Sequence, residues 1–78
     1  MEVKFFNATW CGPCKQMKPH ISKLQKEWYN IQEIDIDQNS TLAESAEIRG
    51  VPTLAIYENG NEVERLVGYE DYDRLKAR

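Results

Sequence analysis

Along the chain the spacing of apolar positions changes several times, and each change predicts an element. Residues 2–7 alternate and then run apolar through Val3, Phe5 and Phe6, the pattern of a buried central strand. Over residues 12–29 the apolar side chains recur as Met17, Ile21, Leu24 and Trp28, a helical stripe suited to packing on a sheet. Pro19 sits inside this stripe, removes the bond to the Lys15 carbonyl and is expected to kink the helix. Asn30 ends it, and Ile31, Ile34 and Ile36 then predict a second strand, parallel to the first through a right-handed crossover. Thr41 and Glu44 have the spacing of a capping box, opening a short helix that should stop at Gly50. Residues 53–57 and 62–67 predict two strands joined by Glu58-Asn59-Gly60-Asn61, a hairpin turn of the primed type. Residues 70–78 predict a closing helix that packs through Tyr72 and Leu75.

Composition narrows this only modestly. Seventy-eight residues predict a single domain, 1–78, near the size at which a hydrophobic core barely suffices. At 41% hydrophobic and 29% charged the chain reads as globular rather than disordered. A net charge of −3 offers no overall basic field, so direct nucleic-acid binding is not expected. No apolar run approaches the ~20 residues needed to cross a bilayer, so no membrane association is expected. The start, Met1-Glu2-Val3-Lys4-Phe5, lacks a charged-then-apolar leader, and the expectation is an acidic cytoplasmic monomer. Lys15, Lys18, Lys23 and Lys26 share the first helix with one acid, Glu27; they read as a solvated face, with docking of an acidic partner the alternative. His20, the one histidine, is expected on the surface.

The candidate chemistry lies where the first strand gives way to the first helix. Trp10-Cys11-Gly12-Pro13-Cys14-Lys15 holds both cysteines of the chain, three positions apart. A strand ending there puts Cys11 at the helix N-terminus, where unpaired N–H groups and the macrodipole favour thiolate over thiol by about 0.3–2 kcal/mol. That turns a weak nucleophile into a useful one. The i, i+3 spacing brings Cys14 to the same side of the first turn, close enough to bond. Pro13 suits a first turn, where its missing N–H costs little, and Gly12 leaves the approach to Cys11 open. The pair therefore fits a dithiol that cycles, Cys11 attacking a substrate disulfide and Cys14 resolving the mixed disulfide. Two other readings are weaker. A structural staple gains little, since closing so short a loop stabilises by only about 2 kcal/mol. Zinc wants four ligands, and Cys11, Cys14 and His20 supply at most three, so no metal is expected unless two chains share a site.

Trp-Cys-Gly-Pro-Cys-Lys resembles the active-site motif of the thioredoxin family. Ile36-Asp37-Gln38-Asn39, Ile48-Arg49-Gly50-Val51-Pro52-Thr53, Asn59-Gly60 and Val67-Gly68 match that family in order and spacing over nearly the whole chain. The resemblance implies an α/β minimal thioredoxin fold, βαβαββα, with a four-stranded mixed sheet in the order 2-1-3-4 flanked by three helices. Strand 3 would run antiparallel to strand 1. Full thioredoxins carry an additional strand and helix in front; in length this chain resembles glutaredoxin, in motif thioredoxin. The implied activity is that of a protein-disulfide reductase, an electron carrier with no bound cofactor beyond its own reversible Cys11–Cys14 disulfide. Electrons would come from NADPH through a thioredoxin reductase-like flavoprotein, and the other partners would be disulfide-containing proteins. The alternatives are glutathione-dependent, glutaredoxin-like recharging and a redox-independent binding subunit of a larger assembly.

Matched to the family, the Val51–Pro52 bond is expected to be cis and to face the cysteines. Val51 would then offer its N–H and C=O to an extended substrate, as an added strand does. Trp10, Gly12, Pro13, Val51, Pro52 and Gly68 are expected to form an apolar patch around Cys11 that excludes water from the exchange. Lys15, Glu33 and Tyr69 are expected to tune the site. Three departures from the family pattern bear on that tuning. Phe5 stands where thioredoxins usually carry a buried aspartate that helps move the second cysteine's proton. Asn7 replaces an aromatic and Glu33 a lysine, so Glu33 is a candidate for the missing carboxylate, with water the simpler acceptor. Tyr69-Glu70-Asp71 follows the glycine where thioredoxins place a small residue and glutaredoxins a polar or acidic pair; Tyr69 could narrow the groove or pack on the last helix.

Overall fold

The computed structural model describes residues 2–27 and 30–76. Its elements run β1 (Glu2–Asn7), α1 (Gly12–Glu27), β2 (Ile31–Asp35), α2 (Ser40–Ser45), β3 (Thr53–Glu58), β4 (Asn61–Val67) and α3 (Tyr72–Lys76). The four strands form one sheet in the order β2-β1-β3-β4, as the family resemblance implied. β1 pairs with β2 in parallel, Val3 opposite Ile31 and Phe5 opposite Glu33. It pairs with β3 antiparallel, Phe5 opposite Leu54. β3 and β4 form an antiparallel hairpin, closed by Asn59 and Gly60 at φ of 54° and 82°, the two positive values a type I′ turn requires.

Adjacent residues of β1 point to opposite faces, and both faces are covered. Val3 and Phe5 join Met17, Ile21 and Leu24 of α1, Leu54, Leu66 and Leu75 in the larger core cluster. Phe6 faces the other way with Ile34 and Ala55, packed under Ile36, Ala46, Ile48 and Val51. This is why an uninterrupted Phe5-Phe6 pair is tolerated: each ring, fully buried, has its own layer. Truncating either to alanine is expected to cost about 3–5 kcal/mol. α1 runs through Pro19 and buries Cys14, Met17, Ile21 and Leu24; Trp28, assigned to its stripe from the sequence, lies outside the described residues.

The second helix departs from its sequence reading at both ends. It starts at Ser40 with Asn39 as N-cap, so Thr41 stands inside the helix and the Thr41–Glu44 capping box does not form. Asn39 is held instead by its backbone N–H and its Nδ2, which donate to the Asp35 carbonyl at 3.0 and 3.1 Å. The helix ends at Ser45 rather than at Gly50. Glu47 takes the left-handed conformation, φ 55°, with its N–H on the Glu44 carbonyl (3.0 Å) and the Ile48 N–H on that of Ala43 (2.9 Å). These are the two bonds of a Schellman ending. Arg65 of β4 reinforces it, donating to the carbonyls of Ala46 (2.7 Å) and Glu47 (3.1 Å). The closing helix starts at Tyr72 rather than at residue 70, because Asp71 is its cap: the Asp71 Oδ1 accepts the Arg74 N–H at 2.9 Å. Residues 77–78 of its expected span lie outside the described residues.

Candidate active site

The turn between β1 and α1 is closed by the Cys11 N–H on the Ala8 carbonyl (3.2 Å), and the Cys11 carbonyl accepts the first helical bond, from Lys15 (3.3 Å). Cys11 is therefore the N-cap residue of α1. In a cap, the side chain accepts an N–H from the first turn that has no partner within the helix. Here the acceptor is sulfur: the Cys14 N–H donates to the Cys11 Sγ at 3.2 Å. Pro13 occupies the second helical position, where the missing N–H removes one orphan donor. The chain thus places its nucleophile candidate where a helix start supplies both a donor and a favourable dipole.

Cys11 and Cys14 form a disulfide with their Cα atoms 5.3 Å apart. Both are buried, Cys14 completely and Cys11 to 4% exposure, in a small apolar cluster with Ala8, flanked by Ile36 and Val51. Among the described residues, no group of three or more His, Cys, Asp or Glu could hold a metal ion.

Around the sulfurs the sequence-predicted residues separate into those brought together and those not. Gly12 and Pro13 are exposed beside the pair, Trp10 is 66% exposed, and Val51 is half-buried against the cysteine cluster. The Val51–Pro52 peptide is cis. Pro52 itself is fully buried, so its ring lies beneath the surface rather than on it, while its carbonyl accepts the Gly68 N–H at 2.9 Å. Gly68, at φ 98°, has a backbone that L side chains rarely adopt. Lys15 is exposed on the first turn of α1. Glu33 is exposed on the outer strand β2, level with Phe5, whereas Cys14 is enclosed by apolar neighbours. Tyr69 reaches to α1, where its hydroxyl lies 3.0 Å from His20 Nε2.

Two residues have partners that the sequence reading did not assign, Asp37 beside the site and His20 further along α1. Asp37 accepts the Trp10 Nε1–H at 2.9 Å and so fixes the exposed indole beside Cys11; its own N–H is tied to Asp35 Oδ1 at 2.8 Å. The signal available was the acidic Asp35-Ile36-Asp37 alternation, which predicts an outward carboxylate but not its partner 27 residues back. His20, expected on the surface, is half-buried and bonded through both ring nitrogens.

The thioredoxin family model matches residues 2–78. The chain belongs to the thioredoxin family. It is 44% identical over 75 residues to the thioredoxin of Chlamydia pneumoniae, an overlap of 94% of this chain and 72% of that one. Against the thioredoxin of Staphylococcus saprophyticus it is 36% identical over 73 residues, 90% of this chain and 70% of the relative. Among solved structures, a mutant thioredoxin from Halobacterium salinarum matches with a TM-score of 0.92 at 39% identity, over 97% of this chain and 68% of that one. The oxidised mitochondrial thioredoxin 3 of Saccharomyces cerevisiae gives 0.87 at 31% identity, over 97% and 74%. Thioredoxin membership together with the disulfide-forming Cys11–Cys14 pair makes the protein a thiol–disulfide oxidoreductase.

Proposed function

We propose that this thioredoxin-family chain reduces disulfides in other proteins, with Cys11 as nucleophile and Cys14 as resolving residue. The observation that carries the assignment is the Cys14 N–H on the Cys11 sulfur at the start of α1. In the reduced protein the same donor faces a thiolate, and a charge-assisted bond favours that form. The thiolate attacks one sulfur of the substrate disulfide, which breaks; one substrate thiolate leaves and takes up a proton, and a mixed disulfide remains on Cys11. Cys14, fully enclosed, loses its proton and attacks the Cys11 sulfur. The second substrate thiolate departs, and two electrons have passed from the dithiol to the substrate. Water takes the Cys14 proton in this reading, since Glu33 faces solvent on β2; a pH dependence of reduction that moves in Glu33→Gln would assign that role to Glu33 instead.

Trp10, Gly12, Pro13, Val51 and Gly68 form the substrate groove with Pro52 buried beneath it, and the 78 residues act as one domain and as a monomer. Recharging is by NADPH through a thioredoxin reductase-like flavoprotein, which makes the protein a link in electron transport. The glutathione alternative loses support because the acids that would hold glutathione are engaged: Asp71 caps α3, and Glu70 lies 3.7 Å from Arg74. The cycle needs a reducing compartment. We assign the cytoplasm, with cell fractionation as the check, since similar chains include mitochondrial thioredoxins of mouse and rat. Among the described residues no helix is long and apolar enough to cross a membrane.

The deciding experiment offers the oxidised protein, in parallel, to NADPH with thioredoxin reductase and to glutathione with its reductase. Reduction by the first supports the proposal. Reduction by glutathione alone would overturn the assigned electron source, and reduction by neither would favour a dedicated partner or a binding role.

A further inference from the structure

We propose that His20 is a positioning residue for substrate selection: it fastens the loop of residues 68–71 to α1 and so fixes the wall that Tyr69 adds to the groove. The inference rests on the groove reading given above.

His20 stands nine residues after Cys11 on the cysteine-bearing helix, about 13 Å along its axis. Its ring is engaged on both nitrogens. Nδ1 accepts the Tyr72 backbone N–H at 3.1 Å. A nitrogen that accepts carries no proton, so the neutral ring holds its proton on Nε2 and donates it to the Tyr69 hydroxyl at 3.0 Å. The two rings meet edge-on, centroids 5.9 Å apart at 77°. Tyr72 is the first residue of α3, and its N–H is one of the donors that a helix start leaves without an internal partner. Asp71 serves Arg74, and His20, from another helix, serves Tyr72.

The loop is consequently held at three points. Gly68 is tied to the Pro52 carbonyl at 2.9 Å, Tyr69 to His20, and Tyr72 to the same imidazole. Tyr69 keeps 45% of its surface exposed although its hydroxyl is bonded, so its ring spans from the loop to α1 with one side open to solvent. A small residue at this position would leave that span empty. A folded substrate lying past Val51 towards Gly68 meets the tyrosine ring; a small disulfide that reaches only Cys11 does not.

The test separates the two bonds of the imidazole. His20→Asn keeps an acceptor at the Nδ1 position but cannot reach Tyr69; His20→Gln reaches Tyr69 but loses the acceptor for Tyr72. Tyr69→Phe deletes one oxygen and keeps the ring. Each variant is assayed with dithiothreitol as electron source, on insulin and on a small aromatic disulfide, with circular dichroism to verify folding. Expected is a rise in the insulin KM of about 3–10-fold in His20→Asn, the loss of one hydrogen-bonded tether, with kcat little changed. Tyr69→Phe gives the same rise, and combining it with His20→Asn adds nothing further. His20→Gln stays near wild type on insulin, and none of the His20 variants alters the rate with the small disulfide. An unchanged insulin KM in both His20→Asn and Tyr69→Phe, or an equal loss on both substrates, overturns the proposal. Failure of the wild-type protein to reduce insulin would overturn the functional reading itself, a different outcome.

Discussion

Helix α1 begins on a sulfur, and helix α3 begins on a carboxylate reinforced by an imidazole. Both devices meet the same requirement, that N–H groups in the first turn of a helix find acceptors. At α3 the acceptors, Asp71 and His20, keep the same character through a redox cycle, and the outcome is attachment. At α1 the acceptor is Cys11 Sγ, held in a disulfide and, in the proposed cycle, released from it as a thiolate. The same capping geometry is a fixture in one place and a reactive centre in the other. The difference lies in the atom chosen to fill the cap, not in the backbone around it.

Replacing the sulfur is the sharpest way to separate the two roles. In Cys11→Ser the hydroxyl remains a good cap for the Cys14 N–H, so the melting temperature should stay within a few degrees of the reduced wild type. Disulfide reduction should fall more than about a thousandfold, because the nucleophile is gone. A variant that lost its fold together with its activity would break the comparison. Cys14→Ser should instead accumulate a mixed disulfide with substrate, detectable by mass spectrometry. At the other helix the largest effect is expected from Leu75→Ala. It removes the buried anchor of α3 at about 2–5 kcal/mol in denaturant unfolding, without touching the cysteines. Asp71→Ala should cost about 1 kcal/mol, the usual worth of a cap, and leave the rate of dithiol oxidation unchanged.

The smallest effect is a dependence on pH where α3 meets the end of α1. Glu27 accepts the Tyr72 hydroxyl at 2.6 Å and lies 3.5 Å from Lys76 Nζ. The tyrosine hydrogen bond first, and the charge of Lys76 next, hold the Glu27 carboxyl below its ordinary range. A carboxyl whose pKa is lower in the folded state stabilises above its unfolded value and loses that contribution as pH falls through the folded value. The wild type should therefore lose slightly more stability than Glu27→Gln between neutral and acid pH. The effect is small because the pair is solvent-exposed. Matched acid melting curves of the two proteins check it.

Much of this was readable in the sequence, for definite reasons. Phe5-Phe6 announces a two-faced strand, Asn59-Gly60 meets the positive φ of a primed turn, and a cysteine after a strand and before a glycine and a proline fixes the start of α1. These features are local: each residue's requirement is met within a few positions of itself. The misreadings concern which residue caps or ends an element, and partners distant in the chain. Gly50 looked like the stop of α2, but Glu47 takes the left-handed position, where glycine is usual. Arg65, 18 residues away, fastens the carbonyls there. Thr41 matched a capping box, yet Asn39, bonded back to Asp35, fixed the helix start ahead of it. The partners of Asp37 and His20, namely Trp10, Tyr69 and Tyr72, come from other segments and could not be read from their neighbours.

The Arg65 brace has a consequence for how the molecule comes apart. Six residues are too few for a helix to persist in water by itself, since the first turn fixes several residues for one hydrogen bond. Helix α2 therefore depends on what holds its ends, and its C-terminal end is held from β4. Helix and hairpin form one cooperative unit: fraying of the hairpin removes the guanidinium and releases α2 with it. A chain ending before Asn61 would lose α2 as well as β4. In hydrogen exchange the amides of Ala46 and Ile48 should open together with those of β4, not ahead of them.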